Sequence, residues 1–144
     1  MAVKIFSALT YGFECFTIEV EAQIVNGLPS MEIVGLGDTA VKEARQRVYA
    51  AIKNSGAEFP KQRKIINLAP AHLRKYGASF DFPIAVSLLV ASNTLPQNLF
   101  EKSMLVGELA LDGSVRKVQG ILPITMHAQQ EGFRKIFVPA ENAK

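Results

Sequence analysis

The first third of the chain alternates apolar and polar side chains, which is the period of a strand with one buried face. The alternation is clearest over residues 15–24, and residues 3–9 are predicted to form the partner strand before it. The Asn26-Gly27-Leu28-Pro29 cluster predicts a turn, and residues 31–34 then form a third strand. Three strands in succession favour an antiparallel meander.

The pattern then changes to a helical period. Apolar residues between positions 39 and 54 recur on one face, which predicts a helix with Asp38 as its N-cap and an end at Asn54-Ser55-Gly56. Residues 64–69 predict a fourth strand. A second helix is predicted from about Phe82, and because it is apolar nearly all round, we expect it to be central and buried.

The last third of the chain predicts two strands, a helix and a final strand. They are a strand over 104–111, a tight Asp112-Gly113 turn, a strand over 114–118, a helix over 123–130 and a strand over 135–138. The order indicates an α+β (α/β) fold, with antiparallel strands first and β-α-β units after them. We expect one domain over residues 1–144, cut from a longer protein because the chain stops without a closing cap.

Composition places the chain among globular proteins, since 49% of its 144 residues are hydrophobic and 20% are charged. Cys15 is its only cysteine, so an internal disulfide is excluded and a reducing cytoplasm is the expected setting. No apolar run approaches the ~18 residues of a membrane span. His72, His127 and Cys15 have no ligand spacing, so no metal site is predicted.

Positive charge is concentrated in the middle of the chain. Residues 42–75 carry nine basic and two acidic side chains. A block this basic is typical of a surface that faces phosphates, although a solvated helix face and loop explains it as well. The candidates for phosphate contact are Arg45, Lys53, Lys61, Arg63, Lys64, Arg74 and Lys75. We expect the loop 59–64 and the turn at 74–75 to lie together, because each borders the strand at 64–69.

The segment Gly35-Leu36-Gly37-Asp38-Thr39-Ala40 follows a strand and opens a helix, as a dinucleotide-binding turn does. Asp38 would repel phosphates there, and the strand that ends near Leu68 is not followed by an acidic residue for a ribose. The glycines therefore predict a tight strand-to-helix turn.

The turn Gly77-Ala78-Ser79 before the second helix allows two interpretations. A serine beside free backbone N–H groups is what an acyl-transfer nucleophile requires. Alternatively, the side chain of Ser79 or Asp81 caps the helix by accepting hydrogen bonds from those N–H groups.

The order of three motifs resembles that of Lon-type peptidase domains: Gly77-Ala78-Ser79-Phe80-Asp81, Val106-Gly107-Glu108 with its hairpin, and Phe137-Val138-Pro139. In that family a serine is activated by a lysine on the helix after the hairpin. The resemblance puts Ser79 at the serine position and Leu122 at the lysine position, while Lys117 lies five residues earlier. Leucine cannot accept a proton, so peptidase chemistry is not expected.

A more extensive resemblance covers essentially the whole chain. The motifs that carry it are Gly35 to Glu43, Ile52 to Gly56, Phe59-Pro60, Asn67 to Ala71 and Phe80 to Ala85. They resemble the N-terminal domain of bacterial magnesium-chelatase-like AAA+ proteins, the ComM competence family. Gly37 stands where that family usually has proline. The resemblance implies a Lon-protease-domain-like, ribosomal-protein domain-2-like two-layer sandwich.

The same resemblance implies a place in a hexameric motor that drives DNA branch migration during natural transformation. The expected partners are the protein's own C-terminal ATPase module, further copies of the chain and DNA, without a membrane. No cofactor is expected in this chain, whereas ATP and magnesium belong to the ATPase module. Two alternatives stay open: an oligomerisation scaffold without DNA contact, and a serine peptidase that uses Ser79.

Overall fold

The computed structural model describes residues 2–143 and contains eight strands and three α-helices. The strands are β1 (Val3–Tyr11), β2 (Glu14–Val25), β3 (Ser30–Val34), β4 (Arg63–Ala69), β5 (Ser103–Leu105), β6 (Glu108–Leu109), β7 (Val115–Arg116) and β8 (Lys135–Phe137). The helices are α1 (Asp38–Asn54), α2 (Asp81–Ala91) and α3 (Ile121–Gln130), with short 3-10 turns at Gln97–Phe100 and Ala140–Ala143. The predicted α+β fold class is confirmed.

Six strands form one sheet in the order β3-β4-β2-β1-β5-β8, and β6 with β7 forms a separate hairpin. The predicted meander of the first three strands was wrong, because β4 lies between β2 and β3. β4 pairs antiparallel with β2 and parallel with β3. β4 pairs with seven residues of β2, whereas β3 has only five residues to offer, so β4 satisfies more of the backbone groups along β2. The parallel pairs β3/β4 and β5/β8 confirm the predicted β-α-β units.

The main core lies between the sheet and the layer formed by α1 and α2. Ile5, Ile18 and Leu88 are at most 1% exposed in this core. Successive side chains of β1 point to opposite faces of the sheet. Ala8 therefore lies on the face opposite to Ile5 and packs against Ile124 and Ala128 of α3. The predicted central position of α2 is confirmed, since eight of its eleven residues are buried.

The starts of the helices differ in detail from the prediction. α1 begins at Asp38, and Gly37 is its N-cap without a side-chain hydrogen bond, so Asp38 is not the cap. The carboxylate in the first turn still interacts favourably with the helix dipole. The predicted end of α1 is confirmed, with Ser55 as C-cap and Gly56 in the left-handed region at φ +85°.

The predicted strand over 104–111 is divided by Gly107. Its N–H donates to the carbonyl of Ser79, and its carbonyl accepts from the N–H of Phe82, both at 3.0 Å. A Cβ at this glycine would lie 2.3 Å from a methyl carbon of Val115. The backbone therefore leaves the sheet here in order to meet the start of α2, and β6 continues into the hairpin.

Within residues 2–143, none of the helices combines the length and the apolar composition that crossing a membrane requires.

Candidate functional site

Two of the seven basic candidates are not surface charges. Lys64 is 3% exposed, and its amino group donates to the carbonyls of Pro60 at 2.9 Å and Gln62 at 2.8 Å. Lys75 is 4% exposed, and its amino group donates to the carbonyls of Pro70 and Leu73. Burial lowers the pKa of both amino groups. Because both amino groups already donate hydrogen bonds to backbone carbonyls of the adjacent loops, Lys64 and Lys75 are poor candidates for phosphate contact.

The other five basic candidates are exposed but lie in different places. The guanidinium of Arg63 pairs with Glu32 at 3.0 Å. Arg74 follows β4, whereas Lys61 precedes it, and the seven-residue strand holds the two ends about 20 Å apart. The expectation that the two basic segments lie together was therefore wrong, and they line separate cavities.

Arg45, Lys53 and Lys61 do lie together, around an open cavity of about 570 Å³. We call this cavity the α1 groove; α1 forms one wall, and residues 57–61 and the start of β3 complete it. Arg45 donates to the carbonyl of Met31 at 3.3 Å, which orients its side chain along the groove. Among residues 2–143, none of these three cations forms an ion pair.

The α1 groove also contains two aromatic rings that are not among the binding residues predicted from the sequence. Tyr49 and Phe59 meet edge to face, with ring centroids 4.9 Å apart. Tyr49 keeps 48% of its surface exposed, and the amino group of Lys53 lies over its ring at 5.7 Å. The signal was present in the sequence, because Arg45, Tyr49 and Lys53 recur every four residues and so share one face of α1.

Ser79 lines a second cavity of about 410 Å³, between β1, the turn before α2 and the loop after β7. Lys117 and Glu108 line the same cavity. Lys117 is therefore brought to the cavity of Ser79 although it lies outside the peptidase pattern. Leu122, at the lysine position of that pattern, is 68% exposed.

Neither Ser79 nor Asp81 caps α2, so the predicted capping role was wrong. The N-cap is Phe80, without a side-chain hydrogen bond. The carboxylate of Asp81 is instead buried between three elements: it accepts two hydrogen bonds from Arg47 of α1 and one from the backbone N–H of Leu109 in β6. Burial raises the pKa of Asp81, and the guanidinium of Arg47 opposes that effect. Asp81 thus joins α1, α2 and the hairpin.

A serine-reactive phosphonate probe is expected to leave Ser79 unlabelled, because leucine at position 122 cannot accept the hydroxyl proton. Intact-mass spectrometry should show no adduct, while a serine peptidase treated in parallel is labelled. An adduct that is lost in both Ser79→Ala and Lys117→Met would contradict this prediction and identify Lys117 as the base.

The turn from β3 into α1 is tight, as predicted. Gly35 has φ +108°, and a Cβ there would lie 2.7 Å from the carbonyl oxygen of Leu68. Gly35 is therefore required by the approach of β4, which explains the glycine without a ligand. No group of three or more potential metal ligands is present within the described part of the chain.

Comparison with known proteins identifies relatives over most of the chain. Residues 20–142 match the family described as subunit ChlI of Mg-chelatase. The chain is 52% identical to YifB of Salmonella typhimurium over 126 residues, which are 88% of this chain and 25% of that protein. It is 37% identical to the competence protein ComM of Haemophilus influenzae over 139 residues, which are 96% of this chain and 27% of that protein.

A lower similarity connects the chain with Lon protease of Bacillus thuringiensis, at 28% identity over 136 residues, 89% of this chain and 17% of that protein. The chain spans about a quarter of the length of YifB and ComM. The resemblance of the motifs to the magnesium-chelatase-like family, and their weaker resemblance to Lon-type peptidases, are thus confirmed.

Proposed function

This chain belongs to the family of subunit ChlI of Mg-chelatase, and we propose that it is a DNA-contacting, non-catalytic N-terminal domain of a ComM-like AAA+ ATPase. The observation that carries the proposal is the gathering of Arg45, Lys53 and Lys61 around the α1 groove without ion-pair partners among residues 2–143. Exposed cations without partners are available to phosphates, whose counterions they release on binding.

In the whole protein, this contact would act beside a C-terminal ATPase module that binds ATP and magnesium. We propose that the copies assemble as a hexamer and that ATP hydrolysis drives branch migration of DNA during natural transformation. The domain would hold DNA by its backbone, independently of sequence, while the motor moves it.

Reversing the three groove charges together, with Arg45→Glu, Lys53→Glu and Lys61→Glu, is expected to weaken binding of both single-stranded and duplex DNA. Three lost phosphate contacts should reduce the slope of log affinity against log salt by about two to three. Fluorescence anisotropy of the whole protein over a salt series measures both quantities. The matched control reverses three exposed cations elsewhere, with Lys117→Glu, Arg134→Glu and Lys135→Glu, which gives the same change in net charge.

An assembly scaffold without DNA contact is the alternative. Leu122 and Met126 favour it, because they lie one helical turn apart on α3 and are 68% and 53% exposed. The scaffold requires that the groove reversals leave the affinity for DNA and its salt dependence unchanged. That result would overturn the DNA-contact proposal.

A further inference from the structure

We propose that the α1 groove is a binding site for an unpaired nucleotide, in which the base stacks on Tyr49 and the phosphates contact the surrounding cations. This inference rests on the proposed DNA contact and deepens it, because it names single-stranded nucleic acid as the form that the groove selects.

The aromatic part of the groove is suited to a flat apolar ligand. The ring of Tyr49 is nearly half exposed, whereas Phe59 is partly buried and packs edge to face against it. The amino group of Lys64 lies 4.9 Å from the centroid of Phe59. Phe59 is thus packed between a buried lysine and Tyr49, and these contacts restrict the motion of the Tyr49 ring. A ring held in this way loses little conformational freedom when a base stacks on it.

The positive charges of the groove favour an anionic ligand. Together with the Tyr49 ring, they favour a ligand that combines a flat apolar group with a negative charge. Three exposed basic residues, Arg45, Lys53 and Lys61, line the groove, and Glu58 is the only carboxylate among the lining residues. The amino group of Lys53 lies over the Tyr49 ring, at the position that a stacked base would take. Because Lys53 is exposed, a base can displace its amino group towards the phosphate of the same nucleotide.

The geometry favours an unpaired base over a duplex. In a duplex both faces of each base are covered by its neighbours, so no π face is free for Tyr49. A single strand exposes its bases, and stacking on an aromatic side chain tolerates every sequence. The cavity volume of about 570 Å³ is within the range of about 300–1,000 Å³ typical of sites for molecules of nucleotide size.

The test compares Tyr49→Leu, which keeps an apolar side chain but removes the π face, with Tyr49→Phe, which keeps it. Anisotropy of the whole protein with oligo(dT) and with a duplex of equal length is measured at fixed salt. Tyr49→Leu is expected to bind oligo(dT) about tenfold more weakly while its affinity for the duplex changes less than about twofold, and Tyr49→Phe should bind both as the unchanged protein does.

The matched control is Phe13→Leu, because Phe13 is fully exposed in the turn between β1 and β2, away from the groove. It should leave binding unchanged. An oligonucleotide that carries 5-iododeoxyuridine gives a second readout, since photo-crosslinking to a stacked aromatic ring should modify the peptide that contains Tyr49. Thymidine monophosphate as competitor shows whether a free nucleotide also enters the groove or a strand is required.

The outcomes distinguish the stacking site at Tyr49 from the phosphate contact on which it rests. If Tyr49→Leu binds oligo(dT) normally while the triple charge reversal weakens both DNAs, the stacking site is overturned and the phosphate contact stands. If neither change alters binding, both proposals are overturned. If labelled polyglutamate binds, loses affinity in the triple charge reversal and in Tyr49→Leu, and oligo(dT) does not bind, the groove is a site for acidic peptides and the inference is wrong.

Discussion

Arg47→Met is expected to lower the free energy of unfolding by about 3–5 kcal/mol, the largest effect of any single substitution proposed for this domain. The Asp81 side chain is only 2% exposed, and two of its three hydrogen-bond donors belong to Arg47. Removing Arg47 leaves a buried carboxylate with the N–H of Leu109 alone. The methionine keeps the apolar stem, so the loss measures the missing charge rather than a cavity. Urea unfolding monitored by circular dichroism gives the value.

The effect of Arg47→Met should depend on pH in a defined direction. Burial raises the pKa of Asp81, and without Arg47 nothing of comparable strength opposes that effect. A carboxyl whose pKa is higher in the folded than in the unfolded state binds its proton more tightly when folded. Its ionised form therefore costs stability at pH values above the folded-state pKa, and the cost decreases as the pH falls from that pKa towards the lower unfolded-state pKa. The destabilisation should be smaller at about pH 5 than at about pH 8.

Two controls separate the buried charge from other causes. Adding Asp81→Asn to Arg47→Met should restore much of the lost stability and remove the pH dependence, because the amide carries no charge. Glu43→Gln removes the exposed partner of Arg47 at 3.8 Å and should change stability by less than about 0.5 kcal/mol. A loss below about 1 kcal/mol for Arg47→Met, or a loss that grows as the pH falls, would show that the ion pair does not hold the three elements together.

Gly35→Ala is expected to cost about 3 kcal/mol of stability, because two effects add at this position. The backbone has φ +108°, which an L side chain rarely adopts, and the new Cβ would lie 2.7 Å from the carbonyl oxygen of Leu68. That oxygen belongs to β4, which is hydrogen-bonded between β3 and β2, so relief of the clash requires a movement of the main chain. Equilibrium unfolding measures the loss.

Gly132→Ala is the matched control for Gly35→Ala. Gly132 also has a positive φ, of +86°, but a Cβ there would meet nothing within 4 Å. Only the conformational cost remains, and we expect about 1 kcal/mol. Equal losses at the two glycines would show that the close approach of β4 does not determine the residue at position 35.

Short-range patterns determined the elements of this protein. The two-residue alternation before residue 25 and the helical period over 39–54 gave β1, β2 and α1 within a few residues of their observed ends. Their success has a physical reason, since each pattern records which side of one element faces the core. The ordered motifs likewise gave the family, which the comparison confirmed.

Only the tertiary structure decided which elements and charges meet. Alternation along β3 does not encode whether β2 or β4 lies beside it, because either neighbour buries the same face. The basic block looked uniform in sequence, yet Lys64 is buried against its own loop while Lys61, three residues away, is exposed. What a charged side chain does depends on acceptors that are distant in sequence, such as the carboxylate of Asp81 for Arg47. Those distances are set by the fold, and the amino-acid pattern around each charge does not contain them.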